Sequence, residues 1–251
     1  MKWGFFGPVH IATLVLAALM NVGIYFALKK ASPKVQTWVL GILSFSGIAA
    51  VIFNLVTWGS PWEYLPFHLC SLTAMALPIA VFTRNKICGN LLLLWSLGAL
   101  AAIVVNNAQA EFEIFSSTFF FYFFPHALEF GIPILLFKLG LVKKDVKCIG
   151  STMLITVAVY TLVHFINLWI NGMDLVDASG ADIVVNYMYS LVPENPVMQL
   201  CYNILPVSYW YMYLIFPIVG VYLLGVYAPQ ILQAIKKKKE KRKNDRLGNT
   251  P

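Results

Sequence analysis

Charge is what this chain has least of. Asp, Glu, Lys and Arg make up 12% of its 251 residues, about half the ~25% share of a soluble domain. Hydrophobic residues fill 59% of the chain and the mean hydropathy is +0.74. A water-soluble core cannot absorb that much apolar surface without large exposed patches. The composition therefore points to an integral membrane protein. Cysteine is sparse as well: Cys70, Cys88, Cys148 and Cys201 form no CxxC pair and no metal-type spacing, which removes the zinc ribbon and the dithiol redox motif. A Cys70–Cys201 disulfide would have to reach into an apolar helix. No His-x-x-x-His occurs. Nor is there an inverted repeat or a matched pair of Gly/Pro-broken spans, which weakens a transporter reading.

What charge there is has a pattern. The net charge of +7 comes largely from the carboxyl-terminal run, since eight of the 18 basic residues lie in 236–246. A basic segment directly after an apolar span suits an anionic cytoplasmic leaflet, so anionic lipid head groups rather than nucleic acid are its expected partners. A helix needs about 20 apolar residues to cross a hydrocarbon core roughly 30 Å thick. Seven segments qualify: 9–28, 37–58, 65–82, 90–105, 115–137, 148–170 and 207–226. The first is followed by Lys29 and Lys30 and shows no small-residue cleavage site, so it reads as a retained helix rather than a signal peptide.

The loops encode an orientation. Lys29, Lys30 and Lys34 follow span one, Arg84 and Lys86 span three, Lys138, Lys143, Lys144 and Lys147 span five, and the basic tail span seven. The alternate connections hold no Lys or Arg but carry Glu63, Glu111, Glu113, Asp174, Asp177, Asp182 and Glu194. By the positive-inside rule the amino terminus lies outside and the carboxyl terminus in the cytoplasm. The expected fold class is all-α: a single seven-helix transmembrane domain over 1–235, an outer cap loop over 171–206, and a cytoplasmic tail over 236–251. Such a chain belongs in the cell membrane as a multi-pass protein surrounded by lipid.

Ionisable groups inside apolar spans are costly and mark functional sites by default. Counted at about 1.5 Å per residue, His68 and Cys70 lie roughly 5–8 Å below the outer end of span three, His164 roughly 9 Å below that of span six, and His126 near mid-membrane at roughly 16 Å. They gather in the outer half of three helices. Cys70 is the nucleophile candidate, because a neighbouring histidine can generate a thiolate. Its base should come from another helix, His126 or His164, since His68 two residues away points to a different face. The plainer reading makes Cys70 a small packing residue.

His126 follows Pro125, which bends a helix and opens space. Glu129, three residues on, shares its face and can orient it, or the pair fastens two helices together. His164 and Asn167 also share a face, and Asn167 can act as interhelical glue. His10, near the outer end of span one, reads as interfacial. Three histidines and a carboxylate could also hold zinc, as in seven-helix metallohydrolases of the ceramidase and adiponectin-receptor type, but such sites often use paired histidines on one helix. No cofactor or resident metal is expected.

Three motifs carry a resemblance: Leu65-Pro66-Phe67-His68-Leu69-Cys70-Ser71-Leu72, Phe123-Phe124-Pro125-His126, and Asn186-Tyr187-Met188-Tyr189 followed by Pro193-Glu194-Asn195-Pro196. Together, over roughly 61–226, they resemble the bacterial YwaF-like integral membrane family. That family is distantly similar to the transmembrane protein 164 acyltransferases and, more remotely, to the androgen-induced-gene lipid hydrolases. The resemblance implies a catalytic cysteine and histidine that move a fatty acyl chain between phospholipids, at the positions of Cys70 and His126. Glu129 enters on helix geometry alone.

The expected function is thus a lipid acyltransferase or acyl hydrolase. Cys70 is the nucleophile, His126 the base and Glu129 its orienter. His68, His164 and Asn167 are candidate oxyanion donors, and the cap around Asn186 and Tyr187 covers the substrate and excludes water. Membrane lipids would be both surroundings and substrates; the sequence names no protein partner. Two other classes remain open: a non-enzymatic seven-helix binding or transport protein, and a structural partner in a larger assembly.

Overall fold

A computed structural model describes all residues except 59, 106–108, 178, 195 and 248–251, with side chains to residue 240. Asn195 of the Pro-Glu-Asn-Pro element, and the side chains of the basic tail beyond Glu240, lie outside the described residues. Among the described residues the chain is all-helical, without strands: α1 (Pro8–Leu28), α2 (Pro33–Thr57), α3 (Leu69–Thr83), α4 (Lys86–Val104), α5 (Ser117–Lys138), α6 (Cys148–Asn171), α7 (Pro196–Ile204) and α8 (Phe216–Leu247). Six helical segments are long and apolar enough to cross a membrane.

Helix starts follow local chemistry. Pro8 and Pro33 open α1 and α2, where a missing N–H costs nothing. Side-chain caps fix three starts: Ser32 Oγ accepts from Val35 N–H (3.4 Å), Asn85 Oδ1 from Cys88 N–H (3.0 Å) and Ser116 Oγ from Phe119 N–H (3.1 Å), each satisfying a donor that the helix leaves free.

The third and seventh spans depart from expectation. Span three was expected over 65–82, but Pro61–Tyr64 form a 3-10 turn, His68 is the N-cap, and α3 begins at Leu69. Pro66 disfavours helical geometry at Leu65. The remaining 15 residues span about 22 Å, short of a full hydrocarbon core. Span seven was expected over 207–226. Instead Trp210–Ile215 form a 3-10 turn and α8 runs unbroken from Phe216 to Leu247, so the basic run continues a helix.

Helix α5 is the hub. It packs on α1, α2, α3 and α4, and its Leu128, Ile132 and Leu136 join Leu40, Leu77 and Leu92 in the main core. Two glycines allow the closest approaches. A Cβ on Gly131 would overlap the Asn21 amide, whose Nδ2 donates to the carbonyls of Ala17 (2.9 Å) and Ala127 (3.0 Å). On α2, a Cβ on Gly47 would stand 2.6 Å from Ala74 Cβ and 2.7 Å from Glu129 Oε1.

The cap is held by side-chain amides. Asn167 Nδ2 donates to Tyr187 O (2.8 Å) and Asn167 Oδ1 accepts from Tyr187 N–H (2.9 Å). One turn further along α6, Asn171 makes the same pair with Val185, at 2.9 and 2.8 Å. Four helical residues rise about 6 Å and two extended residues about 6.6 Å. Two asparagines on one helix face therefore match alternate residues of an extended segment, as a neighbouring strand would. Asn186 folds the next turn: its Oδ1 accepts from Leu191 N–H (3.0 Å), while Nδ2 donates to Val192 O (2.9 Å) and Glu194 Oε1 (2.7 Å).

Replacing Asn167 with alanine strips both buried backbone groups of Tyr187, at about 1–3 kcal/mol each. The expected outcome is a lower melting temperature and faster protease cleavage within 172–206, with a similar effect for Asn171→Ala. Unchanged protease sensitivity in both variants would show that the amide pairs do not hold the cap.

Candidate functional site

The site forms where α3 begins. Helices α3 and α5 both face α2 at Gly47, through Ala74 and Glu129. Cys70 precedes Ala74 by four residues and His126 precedes Glu129 by three, so each lies one turn above this shared layer on its own helix. Counted from the Lys-bearing ends, Cys70 is 13 residues above Thr83 and His126 is 12 above Lys138, about 20 and 18 Å.

Cys70 occupies the first turn of α3. A helix amino terminus offers free N–H donors and a positive dipole end, both of which favour a thiolate. Around it, Cys70 stands within electrostatic range of Glu129, Tyr122 and Tyr189.

His126 is buried on α5. Its Nδ1 lies 2.6 Å from the Tyr122 carbonyl. A carbonyl only accepts, so Nδ1 carries the proton and Nε2 presents the lone pair. The Tyr122 ring leans on the imidazole at 4.5 Å between centroids, and its hydroxyl donates to Ala102 O (2.9 Å). The orienter of His126 is thus a backbone carbonyl one turn above it rather than Glu129. Glu129 lies within electrostatic range of His126 but makes no hydrogen bond to it, and its buried Oε2 has no partner among the described residues.

The cap supplies the roof. Met188 N–H points to His68 Nδ1 at 3.4 Å, and the His68 ring packs against Tyr187 and Tyr189, at 5.4 and 5.3 Å between centroids. Met188 and Tyr189 both have positive φ, 52° and 54°, a costly conformation for bulky residues. The surroundings hold them there: the Tyr189 carbonyl accepts from the Tyr211 hydroxyl, and Ser190 O accepts from Tyr209 N–H (2.6 Å). Burial pushes the Tyr189 phenol up, so it stays a neutral donor. Burial likewise pushes Tyr187 up to about 12.

The other candidates hold structure. His164 Nδ1 meets Ser190 Oγ at 3.0 Å, and Asn167 also donates to that hydroxyl (2.9 Å). His164, Asn167, Asn186 and Tyr187 therefore make contacts that position the cap. His10 is fully buried within the protein. Its Nε2 donates to Ile103 O (2.7 Å) and its Nδ1 accepts from Phe6 N–H (2.9 Å), which pins the amino-terminal loop to α4. All four cysteines are free thiols. Among the described residues no three His, Cys, Asp or Glu side chains converge as metal ligands, so a His-ligated metallohydrolase has no donor set there.

Two residues that sequence reasoning passed over complete the enclosure. Tyr189 was visible only as part of a motif. Trp3 is fully buried; its Nε1 donates to Thr13 Oγ1 (2.7 Å), and its ring packs edge-on against Phe119, Tyr122 and Phe123. A tryptophan three residues from the start, in a glycine- and phenylalanine-rich segment, gave no signal by spacing.

No curated protein and no solved structure matches the chain. A family model described as the TMEM164 family matches residues 5–228. That match takes in every helix to the middle of α8, the Cys70 turn, His126 and the whole cap, and the chain accordingly belongs to the TMEM164 family.

Proposed function

We propose that this membrane protein is a phospholipid acyltransferase or acyl hydrolase working through Cys70 and His126. The supporting observation is the placement of a cysteine in the first turn of α3, one turn from the Gly47 layer shared with Glu129, on a helix that packs against the one carrying His126, whose Nδ1 is already occupied. His126 Nε2 takes the Cys70 proton, and the thiolate attacks an ester carbonyl. The tetrahedral intermediate collapses to a thioester, and the departing alkoxide oxygen takes the proton back from His126. An acceptor hydroxyl then gives its proton to His126 and attacks the thioester, which completes transfer; water in its place completes hydrolysis. Glu129 stands beside this pair as a positioning group without a hydrogen bond to the imidazole. The neutral Tyr189 hydroxyl donates to the oxyanion, a role for which His68 remains a neighbour and His164 and Asn167 do not serve. The cap keeps water out and favours transfer over hydrolysis.

A topology goes with this reading. Helix α3 is a seventh, shorter membrane-embedded helix, the amino terminus and the cap are outside, and the basic tail over 236–251 follows a domain over 1–235 on the cytoplasmic face of the cell membrane. The tail would meet anionic head groups there. The chain would sit in the bacterial YwaF-like branch. One observation favours a second reading: the unpartnered buried Glu129 Oε2 suits a protein that binds or relays a polar ligand without covalent chemistry.

The test is incorporation of a labelled acyl chain from phospholipid by purified protein. Cys70→Ala is expected to abolish turnover and His126→Ala to lower it by about 10²–10⁴. Activity unchanged in Cys70→Ala would sink the mechanism, and ligand-stabilised melting that survives it would favour the binding reading.

A second measurement addresses the cap. Tyr189→Phe is expected to lower acyl transfer by about 10²–10³ while leaving the rate of Cys70 alkylation by iodoacetamide unchanged. Alkylation that slows in parallel would make Tyr189 a support for the thiolate instead.

A further inference from the structure

A groove of about 540 Å³ lies between α1, α4 and α5, with Ala17 and Ile103 of its lining belonging to the core on that side. It uses Phe130, Gly131, Ile134, Leu135 and Lys138 of α5; Gly131, Leu135 and Lys138 turn away from His126, and neither His126 nor Glu129 lines it. Its lining is apolar apart from Asn21, the Tyr25 hydroxyl and, at one end, Lys138. Asn21 is committed to holding α1 on α5. At the same end, Lys29 Nζ stands 4.1 Å over the ring of Phe26, itself a lining residue. Neither Lys29 nor Lys138 has an ion pair among the described residues. An apolar trough thus ends in two ammonium groups without a carboxylate partner among the described residues.

Length decides what fits. From Leu14 to Phe26 the groove follows 12 residues of α1, about 18 Å. Half of a hydrocarbon core roughly 30 Å thick is about 15 Å. The groove therefore has the length of an acyl chain from one leaflet, with the lysines where that chain meets its head group. We propose that this groove binds one acyl chain of an anionic phospholipid, whose phosphate is held by Lys29 and Lys138. A neutral zwitterionic lipid carries its own ammonium to that end and gains less there. The site is independent of the Cys70 chemistry and stands whether or not the protein is an acyltransferase.

The experiment is thermal unfolding of the purified full chain in mild detergent, titrated with dioleoyl phosphatidylglycerol or dioleoyl phosphatidylcholine. A ligand that binds only the folded state raises the melting temperature. Phosphatidylglycerol is expected to half-saturate the shift at roughly tenfold lower concentration than phosphatidylcholine, in line with the attraction of lysines to anionic lipid. The basic tail also attracts anionic lipid, so two variants must agree. Lys29→Gln with Lys138→Gln should abolish the preference. Ala18→Phe, at an exposed lining position, keeps every charge and should remove the response to both lipids; Cys70→Ala should behave as the unaltered protein. Equal response to the two lipids overturns the proposal, as does a preference that survives in either groove variant. A fall in particle mass from dimer to monomer in Ala18→Phe would overturn it too, by making a second copy of the chain the occupant.

Discussion

The paired amides of Asn167 and Asn171 are the constraint on which the cap depends. Backbone N–H and C=O groups packed against a membrane bundle need partners, because lipid offers none. Helices satisfy their own, but a covering segment over 172–206 cannot. Here α6 turns two side chains into a strand edge, and each asparagine returns both a donor and an acceptor to one residue of the extended chain. Ser190 joins the same ledge through His164 and Asn167. With Val185, Tyr187 and Ser190 fixed, the intervening Met188 and Tyr189 are forced through positive φ, and the Tyr189 ring is delivered against His68 at the mouth of α3. Backbone strain at this point is the cost of that delivery, and the tyrosine cluster of Tyr209 and Tyr211 holds it in place.

A short α3 is the complementary device. A full-length helix would bury Cys70 in mid-turn, with its neighbouring N–H groups bonded to carbonyls above. Because the chain enters through Pro61, Pro66 and an N-cap at His68, the first N–H groups of α3 have no helical acceptor, and Cys70 sits among them. The same break separates His68 from the helix and leaves it free to receive the Met188 N–H. The Gly47 contacts then let α2, α3 and α5 close into one layer beneath the thiol.

Much of this was legible in sequence, for identifiable reasons. Spans such as 9–28, 90–105 and 148–170 match α1, α4 and α6 to within a few residues, because apolar length and flanking lysines are local signals. The joint position of His126 and Glu129 on one face followed from helix periodicity. What failed was non-local or depended on backbone geometry. Leu65–His68 are not helical, so a rise of about 1.5 Å per residue does not apply across them. Glu129 was made the partner of His126, although a carbonyl four residues back on the same helix was nearer. Spacing alone shows neither the cap returning from residues 185–190 onto His164 and Asn167 nor the loop of Trp3 and Phe6 over the His10 ring.

The division of α5 into two faces follows from where glycine and asparagine stand. Asn21 crosses to α5 only because Gly131 has no Cβ, and its two hydrogen bonds draw α1 against the helix at one level. The apolar groove lies between these two helices and α4 and takes in Asn21 and Gly131 themselves. On the opposite side, Glu129 reaches Gly47 and fills the space that a side chain on α2 would take. One helix is thus held close on one face by an amide and on the other by a carboxyl, each received by a glycine. Two polar side chains in an apolar bundle set the spacing of three helices, and the thiol layer and the lipid-facing groove both inherit their positions from that spacing.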